Sequence, residues 1–142
     1  MAAKECIAYK SGYKYQLKKD YVTQIEIKPS APIDTEYIKL DVNGRLTIAN
    51  GYAWDGPSGP TIDTKNFMRG SLVHDALYQL IREEKLAEGP HRKIADQILK
   101  RMCREDGMFA LRAGWVYAAV RWFGDSAVDP KKDMQHAPKG CP

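Results

Sequence analysis

The spacing of apolar residues changes period once along this chain, near Asn66, and that change restricts the fold more than any other feature. Upstream of it, apolar and polar residues alternate with period two, as half-buried strands require. Tyr13-Lys14-Tyr15-Gln16-Leu17 and Val22-Thr23-Gln24-Ile25-Glu26-Ile27 read this way. So do Ile38, Leu40 and Val42, and then Leu46 and Ile48, with Asn43-Gly44 between them. Asn-Gly between two alternating runs predicts a hairpin with a two-residue turn, because both residues tolerate positive φ. Downstream, the apolar positions recur at helical spacing. Phe67, Val73, His74, Leu77, Tyr78, Leu80 and Ile81 share an arc of a helix predicted to end near Glu84. Pro90 suits the first turn of a second helix, which groups Ile94, Ala95, Ile98, Leu99 and Met102 and ends at Gly107. A third places Leu111, Trp115, Ala118, Ala119 and Trp122 on one stripe and stops at Gly124. Trp54, Trp115 and Trp122 read as core residues.

The expected architecture is α+β: an N-terminal sheet rich in hairpins, then three helices, the first two an antiparallel pair. At 142 residues the chain is long enough to bury a core without staples. One domain is expected over residues 1–130, with 131–142 an irregular polar tail. No apolar run approaches the ~20 residues that span a bilayer. Met1-Ala2-Ala3-Lys4-Glu5-Cys6 lacks the apolar core of a signal peptide, so synthesis in the cytoplasm is expected. The net charge of +4 fits a solvated basic surface or an anionic partner such as a lipid surface or nucleic acid. No nucleic-acid motif is present. Cys6, Cys103 and Cys141 are too few and too far apart for a disulfide framework or a zinc cluster; Cys103 falls in a helical apolar pattern and reads as a buried thiol. The histidines are His74, His91 and His136, which excludes sites built from clustered imidazoles.

Gly51-Tyr52-Ala53-Trp54-Asp55-Gly56-Pro57-Ser58-Gly59-Pro60, followed by a helix carrying Ser71-Leu72-Val73-His74-Asp75-Ala76-Leu77-Tyr78, is the segment richest in chemistry. At about 100° per residue, His74 points with Tyr78 into the apolar arc, while Asp75 points a quarter-turn away. Asp96 lies at the edge of the second helix's apolar face, and the short connection between the helices brings it within reach of His74. In that arrangement His74 activates a water and Asp96 fixes its tautomer. Asp55, Asp75 and loop carbonyls are hard oxygen donors, which suit calcium; the ion would polarise an ester carbonyl. Plainer readings exist for each residue. Asp55-Gly56 is a favoured turn pair, Asp75 has Arg82 and Gln79 as neighbours for pairing, and Asp63 fits a helix cap. Histidine-aspartate phosphohydrolases need a further histidine upstream, and none precedes His74. A serine hydrolase built on Ser58 or Ser71 lacks the strand-to-helix elbow.

Asp55-Gly56-Pro57-Ser58, His74-Asp75-Ala76-Leu77-Tyr78 and Asp96 together resemble the phospholipase A2 superfamily, in its small bacterial and fungal branch. The resemblance implies a phospholipase-like helix pair and a calcium-dependent hydrolase of ester substrates, phospholipid among them. It implies His74 as base, Asp55 and Asp75 as calcium ligands, Asp96 as the support of His74, and Tyr78 hydrogen-bonded in the same network. Pro57 and Val73 stand where that superfamily has cysteines, a departure that bears on secretion more than on the site. The likeness covers Gly51 to Cys103. From Tyr13 to Gly124 the chain is also similar to an uncharacterised family of tailed phages and prophages. That implies a phage setting, including other virion proteins as partners, a virion location and a non-enzymatic tail or assembly role as the alternative to catalysis.

Overall fold

A computed structural model describes residues 7–10, 15–54, 65–124 and 134–137. The chain is α+β, with antiparallel strands preceding three helices. Strands β3 (Tyr21–Gln24), β4 (Ile33–Asp34), β5 (Ile38–Leu40) and β6 (Arg45–Ile48) form a four-stranded sheet in the order β3-β6-β5-β4. Two further sheets have two strands each: β1 (Ile7–Lys10) with β8 (Met134–Ala137), and β2 (Tyr15–Gln16) with β7 (Ala53–Trp54). The helices are α1 (Lys65–Arg82), α2 (Glu88–Glu105) and α3 (Ala110–Phe123).

Alternation does its expected work in the sheet. Ile38, Leu40, Leu46 and Ile48 face inward and are fully buried, with Lys39 exposed between the first two. β5 pairs with β6 so that Leu40 opposes Leu46 and Ile38 opposes Ile48, which stacks like against like on the core face. The hairpin is present, but its turn differs from the two-residue form. Of its residues Gly44 alone has positive φ, at 87°. The Gly44 amide donates to the Asp41 carbonyl at 3.1 Å, and the Asp41 carboxylate accepts from the amides of Asn43 and Arg45, both at 2.9 Å. The Asp41 side chain thus organises a longer loop that the Asn-Gly pair alone does not reveal. A Cβ on Gly44 would lie 2.3 Å from the Ile25 carbonyl oxygen, so the turn also packs against the neighbouring strand's continuation.

The inner face of the sheet packs on α1 and α2. Ile25, Ile27, Ile38, Leu40, Leu46 and Ile48 share one cluster with Leu72, Val73, Leu77 and Leu80 of α1 and with Ala95, Ile98 and Met102 of α2. A second cluster joins Phe67 of α1, Leu99 and Cys103 of α2, Met108, and Ala113 and Val116 of α3. Trp54 is buried and its indole donates to Ser71 Oγ at 3.1 Å, anchoring β7 on α1.

Two expectations are corrected here. The stripe of α3 read as core faces solvent: Leu111, Trp115 and Trp122 are 89%, 48% and 80% exposed, and the buried positions are Ala113 and Val116. α3 is apolar nearly all round, so periodicity could not choose its inner face. Within the tail expected to be irregular, Met134–Ala137 forms β8, because β1 supplies a partner from the other end of the sequence.

Candidate functional site

The site lies where the three helices meet. His74 and Tyr78 are one helical turn apart on α1, so their side chains stack on the same face; their rings lie 4.0 Å apart. Asp96 projects from α2 and is fully buried. It is deeper than the edge position expected from the sequence. His74 Nε2 lies 2.7 Å from Asp96 Oδ1, and the Tyr78 hydroxyl donates to the same oxygen at 2.5 Å. Arg121 of α3 donates from Nη1 to Asp96 Oδ2 at 3.0 Å. An ionised carboxylate only accepts, so Nε2 carries a proton and donates it to Asp96. Nδ1 is then the basic nitrogen of the neutral ring. It sits 3.8 Å from Asp75 Oδ1, within ion-pair range but too far for a hydrogen bond.

Burial alone would raise the Asp96 carboxyl. The hydrogen bond and charge of His74, then the hydrogen bonds from Tyr78 and Arg121, outweigh it and hold the group below the ordinary carboxylate value. Burial alone would likewise lower the His74 imidazole, yet the carboxylates of Asp75 and Asp96 reverse this and raise it. The Asp75 share is Coulombic at its 3.8 Å distance, whereas Asp96 adds a true hydrogen bond. Tyr78 is pushed well up, first by burial and then by its bond to Asp96, so it stays a donor across the physiological range.

The sequence reading missed two arginines. Arg121 donates to the second oxygen of Asp96, and Arg92 secures the helix that carries Arg121. Arg92 is buried, and its Nη2 donates to the carbonyls of Val120 at 3.2 Å and Arg121 at 2.7 Å, near the C-terminal end of α3 where backbone acceptors are exposed. Gly124 permits this seating: a Cβ there would lie 2.5 Å from the Tyr78 hydroxyl. An arginine at helical spacing with Ala95 and Leu99, on the apolar face of α2, was the available signal, since a charge buried there demands partners.

Asp55, Asp63 and Ser58 lie outside the described residues, so Asp75 is the placed member of the expected calcium set. Its side chain is 26% exposed. Arg69, on the same helix, holds Asp106, Glu105 and Tyr21. Gln79 donates to Glu83. Among the described residues no group of three or more His, Cys, Asp or Glu is placed to hold a metal. Both Asp96 oxygens are engaged by protein donors, so the described donor set suits a cation in kind at Asp75 but is incomplete in number. Ser71 donates to the Met68 carbonyl and accepts from Trp54, which ties it into the fold. Cys103 is a buried thiol, as expected, and burial pushes its pKa up to about 11.

A family model described as "Protein of unknown function (DUF1353)" matches residues 33–120, more than half of the chain. The chain belongs to the DUF1353 family. No curated protein and no solved structure matches it. The DUF1353 span runs from the start of β4 through His74, Tyr78 and Asp96 and stops one residue before Arg121.

Proposed function

We propose that this protein is a hydrolase of carboxylic esters in a tailed-phage setting, with His74 as the general base. One observation carries the reading: Asp96 is fully buried and holds His74 Nε2 at 2.7 Å, which leaves Nδ1 as the basic nitrogen. Nδ1 takes a proton from water as the water oxygen bonds to the ester carbonyl carbon. Asp96 stabilises the imidazolium that results, and Tyr78 and Arg121 keep Asp96 ionised and oriented. Nδ1 then returns the proton to the leaving alkoxide as the carbon–oxygen bond breaks, giving an acid and an alcohol. Asp75 and Asp55 would be the protein carboxylates for a calcium ion, which when bound would polarise the carbonyl. The phospholipase resemblance supports this reading, as does the position of Asp75 beside the nitrogen that does the chemistry.

The test is turnover by the purified full-length chain on water-soluble and phospholipid esters, with calcium and with chelator. Wild type should hydrolyse at least one ester class, and His74→Asn should lower kcat/KM by about 100-fold or more. No turnover by wild type on any ester under either condition sinks the hydrolase reading.

A second reading is a virion or tail component with no catalytic role, synthesised in the host cytoplasm and built into the particle. The observation favouring it is that the dyad is satisfied and deep: His74 is 7% exposed and Asp96 not at all, as in a structural polar network. Particles from a phage lacking the protein would then fail to assemble, and the His74→Asn chain would restore them.

A further inference from the structure

The outward stripe of α3 has no counterpart elsewhere among the described residues. Leu111, Trp115, Ala118 and Trp122 follow one another at steps of four, three and four, so they form a continuous ridge. Phe109, 83% exposed, extends it past the start of the helix. The ridge points almost directly away from Ala113 and Val116, the residues that seat α3 on the core. Large contiguous apolar surface of this kind marks an interaction site.

The flanks say what kind. The 14 residues of α3 contain two arginines and no acidic residue. By helical geometry Arg112 borders the ridge on one side, whereas Arg121, on the other, is turned inward to Asp96. Lys100 supplies the cation on the Arg121 flank, 5.6 Å from the centroid of the Tyr117 ring. The full chain carries a net +4. A short helix with tryptophan and leucine outward and cations at its margins matches surfaces that lie in the headgroup region of anionic bilayers. Indole rings favour that depth, because one edge is apolar and the other can hydrogen-bond. No described helix is long and apolar enough to cross a membrane, so the contact would lie along the surface. A protein groove would serve the apolar ridge equally well. It gives no reason for a helix whose charged residues are two arginines, with no acidic residue along it.

We propose that the outer face of α3, centred on Trp115 and Trp122, docks on an anionic phospholipid surface. Docking does not rest on the hydrolase reading, because it is measured without turnover. It would place α3, and through the bond from Arg121 to Asp96 the dyad beneath it, close to the lipid.

The chain supplies its own probe. It has three tryptophans, and Trp54 is buried against Ser71, so changes in indole emission report Trp115 and Trp122. Full-length protein would be titrated with vesicles of phosphatidylcholine alone and of phosphatidylcholine mixed with phosphatidylglycerol. Co-sedimentation and a blue shift of emission are expected with the anionic vesicles and not with the zwitterionic ones. The double variant Trp115→Gln/Trp122→Gln should lose at least about ten-fold in affinity by co-sedimentation. Leu111→Gln, which keeps both indoles, should bind more weakly while still shifting. These positions are exposed, so circular dichroism should stay that of wild type. Three outcomes overturn the proposal: no binding to anionic vesicles, equal binding to both compositions, or full binding by the double variant. Dimerisation that occurs without lipid and is abolished by the double variant overturns it as well, and assigns the ridge to a second copy of the chain.

Discussion

The contact between α1 and α2 is made of two seams with opposite chemistry. Toward the start of α1 the helices meet dry. At Gly70 an added Cβ would lie 3.0 Å from Leu99 Cδ1 and 3.2 Å from Cys103 Sγ, and Phe67 and Met108 close the surroundings. One turn further along, the same pair of helices buries His74, Tyr78 and Asp96, with Arg121 reaching in from α3. The dry seam draws its stability from dispersion and the removal of apolar area from water, and it tolerates changes that preserve volume. The polar seam holds only while each donor keeps its acceptor, since a buried polar group without a partner costs more than a made bond contributes. One helix pair therefore carries one half held by packing and one half held by matched donors and acceptors.

The comparison is broken most severely at its centre. Asp96→Ala should destabilise by about 3–5 kcal/mol, because it strands a buried imidazole, a phenol and a guanidinium together. In the dry seam Leu99→Ala should cost about 2–5 kcal/mol, a transfer loss plus a cavity. The sizes overlap, so urea denaturation of the single variants alone does not separate the mechanisms. The double variant does: Leu99 and Asp96 are close on α2, yet the costs should add to within about 0.5 kcal/mol if the seams are independent. A larger coupling would show that the two halves are one unit.

Acid and base sharpen the difference, since they act on one seam alone. Asp96 is held below the ordinary carboxylate value, so its stabilisation is present above the unfolded pKa near 3.9 and is lost as pH falls through the folded one. His74 is raised, so its stabilisation is full below the unfolded value of about 6.5 and is lost as pH rises through the folded pKa. Their joint contribution is therefore greatest between about pH 4 and pH 6.5. Melting temperature against pH should show that plateau in wild type and should be flattened in Asp96→Asn. Leu99→Ala should lower the whole curve without reshaping it. A Leu99→Ala curve that lost the plateau would end the distinction.

The two seams also differ in how far the sequence discloses them. His74, Tyr78 and Asp96 were legible because they sit on adjacent helices joined by a short connection, so helical geometry alone puts them in reach. Arg121 was not. It lies 25 residues beyond Asp96, on a helix whose inner face could not be chosen while Leu111, Trp115 and Trp122 matched the helical period as well as Ala113 and Val116 did. With the wrong face chosen, the charged group that α3 sends into the site went unread. The sheet shows the same limit on a smaller scale. Alternation placed Leu40 and Ile48 correctly, while the turn between the strands depended on the Asp41 side chain, which no period records. β8 is a further case: its four residues pair with β1, far away in the sequence, which no local period records.

The smallest expected effect isolates a single bond of the polar seam. Tyr78→Phe removes a hydroxyl and no carbon, so no cavity opens and the stacking on His74 at 4.0 Å is retained. What is lost is the 2.5 Å hydrogen bond to Asp96 Oδ1, an ionised acceptor that still keeps His74. Hydrogen bonds to charged groups contribute about 1.5–3 kcal/mol, and the surviving partner places this loss at the low end, about 1.5 kcal/mol. The loss should depend on pH. Once acid protonates Asp96 the tyrosine no longer faces a charged acceptor, so wild type and Tyr78→Phe should converge in stability at low pH and separate as pH rises through the Asp96 titration. Denaturant midpoints at matched pH values measure this directly. A gap that stays constant from acid to neutral pH would mean that Tyr78 stabilises the fold through its ring alone and that its hydroxyl is no part of the network.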